Sequence, residues 1–81
     1  MRVAVRLFAM LREDAGVERL ELDVPENATA EDVWRSLAAR HPPLLRRRPS
    51  LTAARNRRYA AWDERVAAGD EIAFIPPVSG G

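Results

Sequence analysis

The chain has 81 residues, enough for one small domain with a modest core and too few to assemble an active site from many convergent groups. Its apolar fraction of 47% and formal charge of +1 are those of an ordinary globular domain, and they argue against a disordered segment or a strongly basic nucleic-acid binder. Without cysteine it has no disulfide, thiolate metal site or cysteine nucleophile, and no apolar run reaches the roughly 18 to 20 residues of a membrane span.

The first predicted strand, Arg2 to Phe8, alternates: Val3, Val5 and Leu7 share a core face, while Ala4, Arg6 and Phe8 share the other. A charged connection from Arg12 to Asp14, with room for a short helical turn, ends at Gly16. The second strand, Arg19 to Val24, alternates charged and apolar residues until Pro25-Glu26-Asn27 stops it.

From Thr29 the period becomes helical. Ala30, Val33, Leu37 and Ala38 form one stripe, and Glu31, Asp32, Arg35 and Arg40 face outward. Thr29 is the expected N-cap, with Glu31 and Asp32 in the first turn where the helix dipole favours carboxylates. His41 precedes Pro42-Pro43, which pushes it out of the helical region, so the helix is expected to stop near Arg40. Trp34, beside Val33, reads as a packing residue at the core edge, with an interface role as the alternative.

Leu44 to Ser50 is expected to be a basic loop. Two short strands follow, Leu51 to Asn56 and Arg58 to Trp62, around an Asn56-Arg57 turn that lacks the usual glycine. After a loop from Asp63 to Asp70, Glu71 to Ile75 forms the last strand, with Ile72 and Phe74 on one face and Ala73 and Ile75 on the other. The order is β-β-α-β-β-β, an α+β domain over residues 1–75 with one main helix across one face of a mixed sheet of about five strands. Residues 76–81 are an extended tail.

That tail, Pro76-Pro77-Val78-Ser79-Gly80-Gly81, carries the functional signal. The prolines fix two φ angles and stop the strand, and the glycines, lacking Cβ atoms, can bring a carboxylate into a channel too narrow for other residues. From Pro76 to Gly81 the extended reach is about 20 Å at roughly 3.3 Å per residue. The alternative is a frayed end. No Gly-rich phosphate loop is present, so the chain cannot activate its own carboxylate with ATP.

All 13 basic residues are arginine, which removes side-chain amines as acylation acceptors; base composition or adaptation to heat is the blander and preferred explanation. Arg46-Arg47-Arg48 reads as a solvated loop rather than a nucleic-acid site, because no aromatics interleave with the arginines, and help in docking an acidic partner is the other reading. His41 has no second ligand at metal spacing, so no metal site is expected. The apolar start at Met1 has neither the length nor the flanks of a signal peptide, and the expected location is cytoplasmic.

The opening strand leading into Leu7-Phe8-Ala9-Met10-Leu11-Arg12-Glu13, and the stretch Gly69-Asp70-Glu71 through Pro76-Pro77-Val78 to Gly80-Gly81, resemble the small subunit of molybdopterin synthase. The resemblance spans the whole chain. That family consists of sulfur carriers with the ubiquitin-like β-grasp fold. It implies that the Gly81 carboxylate is adenylated by a ubiquitin-activating-like adenylyltransferase that uses ATP, and is then converted to a thiocarboxylate by a sulfur donor protein. This chain would bind no cofactor itself.

The tail, Pro76 to Gly80, would then lead Gly81 into a pocket of the large synthase subunit, where sulfur passes to cyclic pyranopterin monophosphate. Two such transfers build the molybdopterin dithiolene. The active site would lie on the large subunit, in an assembly of two small and two large subunits, and neither nucleic acid nor membrane is implied. In the family, the positions of Phe8, Tyr59 and Ile75 supply the apolar contact with the large subunit; packing as satellites of the core is the bland reading of Phe8 and Tyr59. Related readings are a carrier for thiamine synthesis or tRNA thiolation, which Pro-Pro-Val disfavours, a ubiquitin-like protein modifier, and an interaction domain alone.

Overall fold

In a computed structural model, which describes residues 1–77, five strands form one mixed sheet. They are β1 (Arg2–Leu7), β2 (Arg19–Asp23), β3 (Thr52–Arg55), β4 (Arg58–Ala60) and β5 (Glu71–Ile75), in the spatial order β2-β1-β5-β3-β4. The β1–β5 pair is parallel and the others are antiparallel. The ubiquitin-like β-grasp is the fold observed.

The main helix, α2 (Ala30–Arg40), covers one face of this sheet. Thr29 caps it as expected, and Asp32 completes a capping box: Asp32 N–H donates to Thr29 Oγ1 at 3.2 Å, and Thr29 N–H donates to Asp32 Oδ2 at 2.9 Å. The helix ends at Arg40, before the proline pair.

Two segments are more regular than expected. The charged connection after β1 is a helix, α1 (Met10–Ala15), which drives Leu11 fully into the core. It stops at Gly16, left-handed at φ +77, whose N–H donates to the Arg12 carbonyl at 2.8 Å. The expected basic loop is part of a 3-10 helix from Pro42 to Ser50. Prolines that end one helix suit the first turn of the next, where no N–H partner is required, and Leu44 anchors this segment in the core.

Strand parity holds throughout. Val3, Val5, Leu7, Ile72 and Phe74 are buried against Val33, Trp34 and Leu37 of α2. At the centre, Phe74 meets Trp34 edge-on at 5.1 Å between centroids and stacks on Trp62 at 5.7 Å with the planes 9° apart. Trp34 is therefore a central core residue, not an edge one. Trp62 lies beyond β4, which ends at Ala60, and half-buries itself on Phe74 from the following turn.

Outside this stack, the Arg48 guanidinium lies 3.3 Å from the Trp62 ring centroid. It also donates through Nε and Nη2 to the two carboxylate oxygens of Glu31, at 3.0 and 2.6 Å. Arg47 donates to Asp14 at 2.9 Å. With Arg46 also 3.7 Å from Asp14, all three consecutive arginines pair with α1 or α2.

Phe74→Ala should cost about 3–5 kcal/mol, the range for emptying an aromatic core site, read as a lowered urea midpoint at unchanged slope. A loss below about 1 kcal/mol would show that the stack is not what holds the layers together.

Candidate functional site

Opposite the helix, the sheet carries one row of side chains running through all five strands. The pairings place Tyr59 beside Ala54, Ala54 beside Ala73, Ala73 beside Arg6, and Arg6 beside Arg19. With strands about 4.8 Å apart, two adjacent alanines leave a gap between larger neighbours. That gap is the floor of a cavity of about 290 Å³, walled by Phe8, Tyr59 and Ile75. Arg6, Arg57 and Glu71 form its polar edge.

The three residues expected at a partner surface thus meet in one groove. Tyr59 is 80% exposed, Phe8 is 37% exposed, and Ile75 is half-buried. Pro76, directly after β5, is buried, and Pro77 is exposed. Val78, Ser79, Gly80 and Gly81 lie outside the described residues.

Sequence reading missed Arg6, Ala54 and Ala73 as parts of this groove. Parity alone would have found Arg6 and Ala73, which share a face with Phe8 and Ile75 respectively. Ala54 needed the register between β3 and β5.

Two turns set the groove walls. After Phe8, Ala9 adopts φ +50, ψ −124, while Leu11 N–H donates to the Phe8 carbonyl at 3.0 Å. This is the first central position of a type II′ turn, a glycine site held here by a residue with a Cβ. The Asn56-Arg57 turn between β3 and β4 is left-handed at both residues, φ +50 and +70. It therefore has the backbone of a tight hairpin without the glycine that usually supplies it.

Asn56 is locked in place by its side chain. Its Nδ2 donates to Asp70 Oδ1 at 2.9 Å, and its Oδ1 accepts from Glu71 N–H at 2.9 Å. Asp70 Oδ2 accepts from Arg55 Nε at 2.6 Å and from Ala67 N–H at 2.7 Å. Gly69, at φ +84, makes the turn that brings this carboxylate inward. Burial pushes the Asp70 carboxyl up, but the hydrogen bonds from Asn56, Ala67 and Arg55, with the Arg55 charge, outweigh it and hold the group below its ordinary 3.8.

Chemically, the groove offers apolar walls and floor with a charged edge. Among the described residues, no group of three or more histidines, cysteines or carboxylates could hold a metal ion, and no helix is long and apolar enough to cross a membrane.

Residues 5–81 match the family model described as the ThiS family. The chain is 40% identical to small archaeal modifier protein 1 of Haloferax volcanii, over 94% of this chain and 97% of that protein. It is 36% identical to the molybdopterin synthase sulfur carrier subunit of Arabidopsis thaliana, over 100% of this chain and 84% of that one. The crystal structure of SAMP1 from Haloferax volcanii superposes with a TM-score of 0.91 at 38% identity, covering 100% of both chains.

Ala9→Gly should raise stability by about 1 kcal/mol, because glycine adopts this backbone without a Cβ penalty. A thermal midpoint that stays level or falls would contradict the strain. Asp70→Asn should cost about 1–3 kcal/mol at pH 7. Because folding lowers the Asp70 pKa, its contribution is complete above the ordinary 3.8 and is lost as the pH falls below that value. The stability gap between the two proteins should therefore narrow below pH 3.8, and a gap constant from neutral to strongly acidic pH would refute the assignment.

Proposed function

The chain belongs to the ThiS family, and from that membership we propose that it is the sulfur-carrier subunit of a molybdopterin synthase. The observation that carries this reading is the groove of Phe8, Tyr59 and Ile75, which lies at the end of β5 where Pro76-Pro77 leads toward Gly81. A large synthase subunit seated on that groove stands within the roughly 20 Å reach of the tail. The full-length likeness to a molybdopterin synthase sulfur carrier subunit supports the choice of partner.

The Gly81 carboxylate is a poor electrophile until an oxygen becomes a good leaving group. A ubiquitin-activating-like adenylyltransferase supplies that group: the carboxylate attacks the α-phosphate of ATP, pyrophosphate leaves, and Gly81 becomes an acyl adenylate. Sulfur from a donor protein then displaces AMP to give the thiocarboxylate. On the large subunit this sulfur attacks cyclic pyranopterin monophosphate, water then cleaves the bond between sulfur and the Gly81 carbonyl so that Gly81 returns as a carboxylate, and a second carrier completes the dithiolene. The carrier contributes position and a nucleophilic sulfur, and the large subunit contributes the active site. Two small and two large subunits form the assembly, in the cytoplasm.

A second reading, a ubiquitin-like protein modifier, is favoured by the 40% identity to a small archaeal modifier protein. It uses the same activated Gly81 but passes the acyl group to an amine of another protein.

Intact mass separates the two after incubation with ATP and a sulfur source in a lysate of the same cells. Exchange of one oxygen for sulfur is expected, and it should vanish on deletion of Gly81. Conjugates to other proteins would instead establish the modifier, and an unaltered mass in a lysate that makes molybdopterin would overturn both. One residue added after Gly81 should abolish molybdopterin formation without loss of folding.

A further inference from the structure

The sheet places two arginines directly opposite each other, Arg6 on β1 and Arg19 on β2. Like charges at such a cross-strand position are destabilising. Arg19 reaches Glu71 at 3.5 Å, but Arg6 takes part in no ion pair among the described residues. Its guanidinium instead lies 5.2 Å from the Phe8 ring centroid, half-buried at the groove wall.

Arg6 and Phe8 also line a second depression, of about 400 Å³, together with Arg12, Arg19 and Glu18. The two cavities share Arg6 and Phe8 as a common wall, and together they make up a trough on either side of it. It carries four arginines (Arg6, Arg12, Arg19, Arg57) against two glutamates (Glu18, Glu71), a net charge of +2 where the whole chain carries +1. The remaining surface is net negative. Arg46, Arg47 and Arg48 pair with Asp14 or Glu31, and within the trough Arg12 pairs with Glu18 while Arg19 and Arg57 pair with Glu71, so Arg6 is the trough's one cation without an ion pair among the described residues.

We infer that this trough receives a partner protein whose apolar side chain enters between Phe8, Tyr59 and Ile75 while a neighbouring carboxylate binds Arg6. The inference rests on the proposed function for the identity of the partner and adds the charge it must carry. Phe8 stacking pre-orders the Arg6 guanidinium, so little side-chain entropy remains to be lost when the carboxylate arrives. The long-range part of the attraction speeds encounter and is screened by salt.

The test is the dissociation constant of this chain for the large synthase subunit of the same cells, measured calorimetrically between about 50 and 500 mM salt. Arg6→Gln should weaken binding roughly tenfold at low salt and flatten the salt dependence, and Arg6→Lys should restore most of that dependence. Arg35→Gln, on the exposed face of α2, should change neither. Circular dichroism melts check that each variant is folded. Salt dependence that is the same for Arg6→Gln and the unaltered chain would overturn the acidic-partner inference while leaving the proposed function standing. Failure of the unaltered chain to bind would overturn both.

Discussion

The Phe74 ring, held between two indoles, is the contact on which the other features of this fold depend. One residue joins β5, α2 through Trp34, and the turn after β4 through Trp62. In so short a chain few side chains can tie several elements at once. Phe74 also decides which way β5 faces. Successive strand residues alternate, so Phe74 inward places Ala73 and Ile75 outward, and a slip of one residue would bury Ile75 and expel the aromatic. The groove floor and wall are thus a consequence of core packing one residue away.

Parallel pairing of β1 with β5 supplies the next step. Leu7 pairs with Phe74, so both strands run toward the same end of the sheet, and Phe8 emerges close to the start of the tail. At the other end of β5, Asp70 binds the β3–β4 turn and fixes where Tyr59 stands. The wall residues come from three separate stretches of chain. Two of them are held by turns whose backbone is unusual for their residues, Ala9 beside Phe8 and Asn56-Arg57 before Tyr59. Backbone conformations of this kind persist only where the surroundings over-determine them, and here each adjoins the same groove.

The features legible in the sequence were those with a local cause. Alternation in β1 and β5, the Thr29 cap, and the stop at His41 each depend on residues within a few positions of one another. The features that were missed depend on distant ones. Nothing near Trp62 announces that it will stack on Phe74, and Trp34 looked peripheral because its helical neighbours do not reveal how deeply β5 packs against it. The basic stretch at Arg46 to Arg48 read as a loop because its carboxylate partners, Asp14 and Glu31, lie far away in sequence. The left-handed Asn56-Arg57 turn was obscured for the same reason: its stabilising partner is Asp70. Of the candidate site, strand parity and the family resemblance point to Phe8, Tyr59 and Ile75, whereas the two alanines that make room between them depend on the register.

The exclusive use of arginine also acquires a structural reason at particular positions. Arg48 lies over Trp62 with its guanidinium and at the same time donates two hydrogen bonds to Glu31. A planar, delocalised cation can do both, while a lysine ammonium can stack or pair but has no second plane of donors to offer. Those bonds hold the Glu31 carboxyl below its ordinary range against the opposing effect of burial. Arg55 divides its donors between Asp70 and Glu64, at 2.6 and 3.3 Å, which again requires a fork. Arg2 and Asp23 show the same two-point geometry on the open surface, where solvent reduces its value. Base composition can fill exposed positions with arginine without consequence. At Arg48 and Arg55 the shape of the guanidinium is what links the 3-10 segment to the helix and the hairpin to the start of β5.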